Sequence, residues 1–359
     1  MYIKTLKINN LRNLKSVSIE LNPRLNYLLG NNGAGKTSVL ESLVVLAKGR
    51  SFRAGQISAL VGPESDQFRI VASTIPLDKN EKTLGIERTT KEWKARNNGE
   101  DVKQLSDLAC HLPLVLIEPN SHLLVSGPPE GRRRFLDWGV FHVEQDYLVL
   151  WRRYSRALKQ RNAALRNQEK AVVESLDEIL AGLGEKVHKA RLKQQQDLAK
   201  MLQETLKQLS PELRSVKLRY DKGWKGNSLL AALQSTVIQD LARGATGQGP
   251  HRADLPVYLN KKLAKDRVSR GEQKIISAAL LLSQARIMSD SGEKPILLMD
   301  DLASEFDEYH LIRVLKLAQQ LETQVWITGT SYSPYQSLGN GSCAMFHVEH
   351  GKISTETVA

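Results

Sequence analysis

Residues 30–37 read Gly-Asn-Asn-Gly-Ala-Gly-Lys-Thr, and this stretch decides the fold. It fits the pattern GxxxxGK[ST], in which a glycine-rich backbone wraps phosphate oxygens at the start of a helix. Alternating apolar residues at 25–29 precede it as a strand, and residues 38–47 follow it as an apolar-periodic helix. Strand, loop and helix together predict a nucleotide-binding α/β domain.

The residues of this loop have distinct expected roles. Lys36, a candidate catalytic residue, supplies a positive charge to the β and γ phosphates, and the Thr37 hydroxyl is a candidate ligand of Mg²⁺. ATP and Mg²⁺ are therefore the expected cofactors. The candidate phosphate-binding residues are Gly30, Asn31, Asn32, Gly33, Ala34, Gly35, Lys36, Thr37 and Ser38.

A second motif runs from Pro295 to Asp301, where four apolar residues end in two acids. This pattern is typical of a buried parallel strand that delivers carboxylates to the carboxyl edge of a sheet. Asp300 is a candidate Mg²⁺ ligand, and Asp301 is the candidate general base that orients the attacking water. Lys36 and Asp300 stand 264 residues apart. Such a gap favours an ATPase head interrupted by an arm over a simple nucleotide kinase or a small GTPase.

The segment 268–273 reads Val-Ser-Arg-Gly-Glu-Gln and directly precedes a helix of good helix formers. On its own, Ser269 predicts only an N-cap. Its position between the two other motifs is typical of ABC-type ATPases, in which this signature of one protomer covers the ATP of the other. Ser269, Gly271 and Glu272 are therefore candidate nucleotide contacts, and we expect two composite sites in an ATP-dependent homodimer.

Three departures from the wider ABC superfamily predict slow turnover. Arg270 stands where a second glycine is usual, and Asp301 is a shorter base than the usual glutamate. Residues 327–330, Ile-Thr-Gly-Thr, take the place of the switch histidine, so a hydroxyl would have to contact the γ-phosphate. We expect a weak ATPase that acts as a switch. A Q-loop glutamine has no clear place, since Gln56 comes too early in the chain.

The apolar patterns in the rest of the chain predict its domain organisation. Short alternating segments dominate the first 120 residues, whereas apolar residues recur at helical spacing after Gly127. We expect an α/β, ABC-type P-loop ATPase head at 1–120 and 240–359, split by an inserted α-helical arm domain at 121–239. Of the 359 residues, 41% are hydrophobic and 25% are charged, which is typical of globular proteins.

Membrane and metal-scaffold classes are disfavoured. The sequence has no apolar run of the roughly 18–20 residues that a membrane span needs. Cys110 and Cys343 lie far apart without a metal spacing, which suits reduced thiols. We expect a cytoplasmic protein with no membrane partner.

The charge balance favours a polyanionic partner. Fifty-one Lys and Arg stand against 39 Asp and Glu, which leaves a net charge of +12. Residues 131–170 alone contain ten basic residues against four acidic ones. Arg152, Arg156 and Lys159 follow i, i+4, i+7 and share a helix face. They are candidate contacts to DNA phosphates, and a solvated helix surface is the alternative.

Five further segments are similar to the RecF family of bacterial recombination mediators, in order along the chain. They are Gly49-Arg50-Ser51-Phe52-Arg53, Arg132-Arg133-Arg134-Phe135-Leu136-Asp137-Trp138, Leu158-Lys159-Gln160-Arg161-Asn162-Ala163-Ala164-Leu165, Gly249-Pro250-His251-Arg252-Ala253-Asp254-Leu255 and Asp300-Asp301-Leu302-Ala303-Ser304-Glu305. The resemblance implies an SMC- and Rad50-like head with a short helical arm, ATP-dependent homodimerisation and DNA-stimulated ATP hydrolysis. It also implies binding to double-stranded DNA and gap junctions, and partnership with RecR and RecO in loading RecA.

The resemblance draws attention to two turns. SMC-like heads place the residues after the first strand against the nucleotide, which makes Arg12 and Asn13 candidate nucleotide contacts; a surface turn is equally compatible. Arg252 is a candidate for nucleotide sensing or an interface. Two other classes stay open, an ABC-type transport ATPase subunit and a P-loop phosphotransferase acting on a metabolite. The basic arm and the missing switch histidine speak against the transporter.

Overall fold

The computed structural model describes residues 1–76, 80–144, 146–338 and 342–356. Within these ranges the strands are β1 (Tyr2–Leu11), β2 (Leu14–Glu20), β3 (Leu25–Leu29), β4 (Gln67–Ile75), β5 (Lys82–Thr89), β6 (Trp93–Asn97), β7 (Glu100–Asp101), β8 (Leu114–Ile117), β9 (Val216–Leu218), β10 (Val257–Leu259), β11 (Lys262–Leu263), β12 (Ile296–Met299), β13 (Val325–Gly329), β14 (Cys343–Glu349) and β15 (Lys352–Glu356). The α-helices are α1 (Lys36–Lys48), α2 (Leu123–Ser126), α3 (Pro129–Val143), α4 (Tyr147–Arg166), α5 (Lys170–Leu209), α6 (Leu229–Ser235), α7 (Val237–Arg243), α8 (Arg270–Asp290), α9 (Leu302–Glu305) and α10 (Glu308–Gln320).

The chain divides into two compact units. The head unit comprises Met1–Ser121 and Ala278–Ala359, and the arm unit comprises His122–Ser277. The head unit is therefore made of two separate stretches of chain, with a largely helical segment inserted between them. This confirms the expected α/β fold with a helical insertion.

The head unit contains two six-stranded sheets. One has the strand order β2-β1-β4-β5-β6-β7 and is antiparallel throughout. The other has the order β15-β14-β3-β13-β12-β8, and its strands are parallel except for β15 at one edge. Every residue of β12 and β13 is buried, as expected for central strands of a parallel sheet covered on both faces.

A single apolar core joins the two sheets of the head unit. Helix α1 contacts β13 of the parallel sheet and also β1, β4 and β5 of the antiparallel sheet. Its buried side chains, among them Val39, Leu43 and Leu46, belong to the same cluster as Ile8 of β1 and Trp326 of β13. The first turn of α1 is thus fixed against the carboxyl edge of the parallel sheet.

The arm unit is built around α5, a helix of 40 residues. It packs against α3, α4 and α6. The helix continues without interruption through Gly182 and Gly184. At Gly184 a Cβ atom would lie 2.4 Å from Leu229 Cδ2, so the missing side chain lets α6 approach α5 closely.

The second boundary of the insertion differs from the sequence-based expectation. The sequence places the return to the head at residue 240, whereas residues 240–277 pack with the arm unit. Strand β9 pairs with β10, and Arg132 of α3 forms a bidentate ion pair with Asp254, with N–O distances of 2.7 and 3.0 Å. These contacts between distant parts of the chain keep the later segment in the arm unit.

Buried ion pairs hold the arm unit together. Arg161, which is fully buried, donates to Asp177 at 2.7 Å and to Asp240 at 2.9 Å. Arg191 makes a bidentate pair with Asp137 and also donates to the Pro250 carbonyl at 2.6 Å. Removing one partner would leave a buried charge without compensation, which is strongly destabilising.

In the described part of the chain, no helix has the length and apolar character to cross a membrane.

Candidate nucleotide-binding site

The loop between β3 and α1 has the backbone that its glycines predict. Gly30, Gly33 and Gly35 have φ angles of 150°, 79° and 118°, which non-glycine residues rarely adopt. A Cβ atom at Gly30 would lie 2.1 Å from the Val348 carbonyl oxygen, and one at Gly35 would lie 3.0 Å from Asn13 Nδ2. Conformation therefore favours glycine at all three positions, and close neighbours also leave little space for a side chain at Gly30 and Gly35.

Lys36, the first residue of α1, folds back over this loop. Its ammonium donates to the carbonyl oxygens of Gly30 at 2.7 Å and Asn31 at 2.9 Å. Burial lowers the pKa of Lys36, and the negative charges of Asp301 and Asp300 oppose that shift. The first turn of α1 carries no acidic residue, so its N–H groups, which have no partner within the helix, and Lys36 together form a positively polarised anion site.

Asp300 follows β12 and lies at the carboxyl edge of the parallel sheet. Its Oδ1 accepts hydrogen bonds from the Thr37 hydroxyl at 3.0 Å and from the Thr328 hydroxyl at 2.7 Å. Burial raises the pKa of Asp300, while these two hydroxyls favour its charged form. The contact with Thr37 brings together the two motifs that the sequence separates by more than 260 residues.

Asp301 has an unusual backbone conformation, with φ 50°. Its N–H donates to the Thr328 hydroxyl at 2.9 Å, and its Oδ2 accepts from the Ser304 hydroxyl at 2.8 Å. A non-glycine residue in the left-handed region persists only where the surroundings hold it. Thr328 and Ser304 thus fix the main chain and the carboxylate of the candidate general base.

Glu118 is a third acid at this edge, and sequence reasoning missed it. It follows β8, whose Ile117 pairs in register with Met299 of β12, so Glu118 and Asp300 are next to each other across the sheet. Burial raises the pKa of Glu118 to about 7, and the charge of Asp300 acts in the same direction. The signal was present: residues 114–118, Leu-Val-Leu-Ile-Glu, repeat the pattern of four apolar residues and an acid.

Arg12 and Asn13 lie in the turn between β1 and β2, and both support the loop and α1. The Arg12 guanidinium pairs with the buried carboxylate of Glu41 in α1 and donates to the Ala59 carbonyl at 3.1 Å. These bonds use three of its five N–H groups. Asn13 donates to the Ala34 carbonyl at 3.1 Å and accepts from the Ser38 hydroxyl at 3.3 Å.

The signature residues cap α8 on the surface of the arm unit. The Ser269 hydroxyl accepts from the Glu272 N–H at 3.2 Å, and the Glu272 carboxylate accepts from the Ser269 N–H at 2.7 Å. This reciprocal pair is a capping box. Ser269 and Gly271 are exposed, so the start of α8 is accessible to a partner.

The three DNA-contact candidates on α4 differ in exposure. Arg156 and Lys159 are exposed, and Arg153, which the sequence analysis did not select, is exposed beside them. Arg152 is half-buried and interacts within the protein. Trp151 packs inward, where its ring lies 5.2 Å from the Arg191 guanidinium carbon.

His251 and Arg252 belong to a hydrogen-bonded turn of the arm unit. The Tyr154 hydroxyl contacts His251 Nδ1 at 2.7 Å, and His251 Nε2 contacts the Thr246 carbonyl at 3.0 Å. The carbonyl requires a donor, which assigns the proton to Nε2 and makes Nδ1 the acceptor. Burial lowers the pKa of His251 to about 4. His251 is therefore a neutral structural residue, while Arg252 is exposed.

The fold and the site define a class of protein. The loop after β3 and the acids after β12 meet at one edge of a parallel sheet, with β13 and its Thr328 between them. The two halves of this sheet flank a helical insertion that ends in the signature segment. This is the arrangement of an ABC-type P-loop ATPase head.

Comparisons with known proteins agree with this class. The model of the RecF/RecN/SMC N-terminal domain family matches residues 2–354. The DNA replication and repair protein RecF of Xanthomonas axonopodis pv. citri is 39% identical over 99% of both chains. That of Stenotrophomonas maltophilia is 41% identical over 98% of this chain and 99% of the relative. The chain therefore belongs to the RecF family of DNA replication and repair proteins.

Solved structures support the same assignment. A structure of the recombination mediator protein RecF-ATP in the RecFOR pathway has a TM-score of 0.88 and 26% identity, covering 99% of this chain and 98% of that chain. An Smc head domain from Pyrococcus furiosus, bound to the C-terminal domain of ScpA, has a TM-score of 0.59 and 16% identity, covering 99% of this chain and 96% of that chain. The Smc similarity concerns the fold alone. Because the family match covers nearly the whole chain, it argues against the two alternatives, an ABC-type transport ATPase subunit and a P-loop phosphotransferase.

Proposed function

We propose that this protein is an ATP-dependent DNA-binding switch of recombinational repair and replication-fork maintenance. In this account ATP drives homodimerisation, the dimer binds double-stranded DNA at gaps or junctions, and slow hydrolysis resets it. The observation that carries the proposal is the 3.0 Å contact between the Thr37 hydroxyl and Asp300 Oδ1. It joins the phosphate-binding loop to the acidic strand, as ATP hydrolysis requires.

The residues at this edge fit a nucleotide with Mg²⁺. Residues 30–38 bind the phosphates through backbone N–H groups and Lys36, which exchanges its two loop carbonyls for phosphate oxygens. Thr37 and Asp300 supply a hydroxyl and a carboxylate, the oxygen ligands that Mg²⁺ prefers. When bound, Mg²⁺ supplies positive charge that offsets the negative charge of the phosphates. Arg12 and Asn13, which support the loop and α1 from the neighbouring turn, are the remaining proposed contacts to the nucleotide.

Asp301 acts as the general base in this proposal. Its carboxylate accepts a proton from the attacking water, and Ser304 holds the other carboxylate oxygen in place. Aspartate has one methylene fewer than glutamate, so it reaches the water less readily. Thr328 belongs to the segment that stands where a switch histidine is usual. Its hydroxyl is already hydrogen-bonded to Asp300 and to the Asp301 N–H. Both features favour a weak ATPase, and its stimulation by DNA is the part of this proposal that follows from family membership.

Each nucleotide site is completed by the facing protomer. Ser269, Gly271 and Glu272 lie at the exposed start of α8, where backbone N–H groups and the serine hydroxyl can donate to a γ-phosphate. The phosphate of one protomer's ATP would then bridge the two chains. Loss of that phosphate on hydrolysis separates them.

The arm unit is the proposed DNA-binding part. It contains 29 lysines and arginines against 17 aspartates and glutamates, whereas the head unit contains 22 of each. The net charge of +12 therefore belongs entirely to the arm unit. Arg156 and Lys159 are exposed on α4, and Arg152 contributes from its half-buried position. Phosphate contacts of this kind give affinity without sequence preference.

The remaining parts of the proposal follow from family membership. RecR and RecO are the proposed partners in loading RecA onto gapped DNA, in the cytoplasm where the chromosome lies. The experiment that tests the proposed function is sedimentation with gapped DNA in the presence of ATP or ADP. We expect a DNA-bound dimer with ATP and mainly free monomer with ADP. Equal DNA binding with both nucleotides would contradict an ATP-controlled switch.

A further inference from the structure

One side of α5 is buried and the other faces away from the arm-unit core. The helix spans 40 residues, about 60 Å at 1.5 Å per residue. Its buried residues recur at intervals of three or four from Val173 to Leu209. Such spacing places them on one face, so the opposite face is left to solvent.

Five exposed lysines occupy the outward face of the helix from residue 186 onwards. They are Lys186, Lys189, Lys193, Lys200 and Lys207. Four of them stand seven residues apart. At about 100° and 1.5 Å per residue, all five fall within a sector of about 60° over about 32 Å. We call this set the α5 lysine row.

The row is not a general property of the outward face. Before residue 186 the same sector carries Ala171, Ser175 and Gly182, none of which is charged. Lysines that served only to solvate α5 would be spread along the whole length of the helix. Asp197 and Glu204 lie at one margin of the sector, so the row keeps a net positive charge. Lys193 pairs with the half-buried Glu144, and Lys193 can readily exchange this surface partner for another anion.

We propose that the α5 lysine row binds the phosphate backbone of double-stranded DNA. A duplex carries one negative charge per about 1.7 Å of axis, so a segment parallel to the row presents roughly 19 charges. Lysine is a point charge on a flexible stem, which suits contact with phosphates of any sequence. The inference rests on the proposed DNA binding and adds to the α4 residues a second, longer contact surface.

An anionic membrane is the competing polyanion. A helix that lies in a membrane interface turns apolar side chains towards the lipid. From Lys186 to Lys207 the outward sector holds only the lysines and Glu204, and the apolar side of α5 is already buried in the arm unit. These features favour DNA over lipid as the occupant.

The test compares two variants of the full chain with equal loss of charge. The row variant replaces Lys186, Lys193, Lys200 and Lys207 with Gln. The control variant makes the same replacement at four exposed lysines of the head unit: Lys7, Lys91, Lys94 and Lys103. Binding to a labelled duplex is measured by fluorescence anisotropy between about 50 and 200 mM salt, with ATP present. A Lys→Arg version of the row and thermal melting of each variant guard against misfolding.

We expect the plot of log K against log salt to become shallower by about 3.6 in the row variant, since each lost phosphate contact removes about 0.9. The control and the arginine version should keep the parental slope. A parent that binds with steep salt dependence and a row variant with the same slope would overturn this inference alone. A parent that fails to bind duplex would overturn the proposed function with it. Loss of binding to phosphatidylserine vesicles, with DNA binding intact, would assign the row to a membrane.

Discussion

Thr328 donates its hydroxyl hydrogen to Asp300 Oδ1 at 2.7 Å. The same oxygen of Thr328 accepts a hydrogen bond from the N–H of Asp301 at 2.9 Å. One fully buried hydroxyl therefore positions the candidate Mg²⁺ ligand and the backbone of the candidate general base. The arrangement follows from the sheet, because Ile327 and Met299 pair in register and the next residues are neighbours.

Replacing Thr328 with Val removes both hydrogen bonds at nearly constant volume. We expect ATP hydrolysis to fall by roughly 10- to 100-fold, as is usual when an outer partner of a metal ligand is lost. Nucleotide affinity without Mg²⁺ should hardly change, because the phosphate-binding loop is intact. Steady-state hydrolysis and calorimetric titration with and without Mg²⁺ measure these effects. Thr328→Ser should restore hydrolysis, and a fully active Thr328→Val would exclude a positioning role.

The composite site predicts complementation between two inactive variants. Lys36→Met removes the phosphate contact of one site, and Ser269→Arg blocks the signature that covers the facing site. Each variant alone should hydrolyse no ATP. A mixture should regain at most one working site per dimer, because a mixed dimer has one site with both parts intact. Hydrolysis at the parental rate by either purified variant would refute the shared site.

The α4 face predicts a salt effect of its own. Replacing exposed Arg156 and Lys159 with Glu should make the plot of log K against log salt shallower by about 1.8, from about 0.9 for each phosphate contact. Arg152→Glu should weaken folding as well as binding, because Arg152 is half-buried and already interacts within the protein. Anisotropy titrations and thermal melting separate the two effects. A parental slope in the double variant would indicate that Arg156 and Lys159 form only a solvated helix surface and do not contact DNA.

The low pKa of His251 predicts a pH-dependent term in stability. Its pKa is lowered to about 4 in the folded protein, whereas an unfolded histidine has a pKa of about 6.5. Between these values the unfolded state binds more protons, so the stabilisation is complete above pH ~6.5 and is lost as the pH falls towards about 4. His251→Gln can keep both hydrogen bonds without titrating. Urea unfolding across this window should show a smaller decrease for the variant, and parallel curves would contradict a buried neutral histidine.

The geometry of the candidate nucleotide site was largely predictable because its motifs are local in sequence. The loop from Gly30 to Thr37 and the acids after β12 each carry their pattern within eight residues, and the sheet brings them together. Glu118 escaped prediction because its role depends on the register of β8 beside β12, which no local pattern specifies. The apolar-acid motif at residues 114–118 could be recognised as part of the site only once the strand order was known.

The arm unit was harder to predict for two physical reasons. Its second boundary depends on contacts between distant segments, such as Arg132 with Asp254, rather than on a change in local texture. The α5 lysine row has one lysine per two helical turns over most of its length. A search for local clusters of charge therefore does not detect it. Only the continuity of α5 through Gly182 and Gly184 places those lysines on one face.

The most direct test of the account is the oligomeric state of the Asp301→Asn variant. Removing the base leaves Lys36, Thr37 and Asp300 in place, so ATP and Mg²⁺ should still bind while hydrolysis is lost. Sizing chromatography after incubation with ATP and gapped DNA should give a long-lived dimer that ADP does not produce, whereas the parent returns to monomer as it hydrolyses ATP. Two results would contradict the proposal that ATP drives dimerisation and that Asp301-dependent hydrolysis ends it. They are hydrolysis at the parental rate by the variant and a variant that stays monomeric with ATP bound.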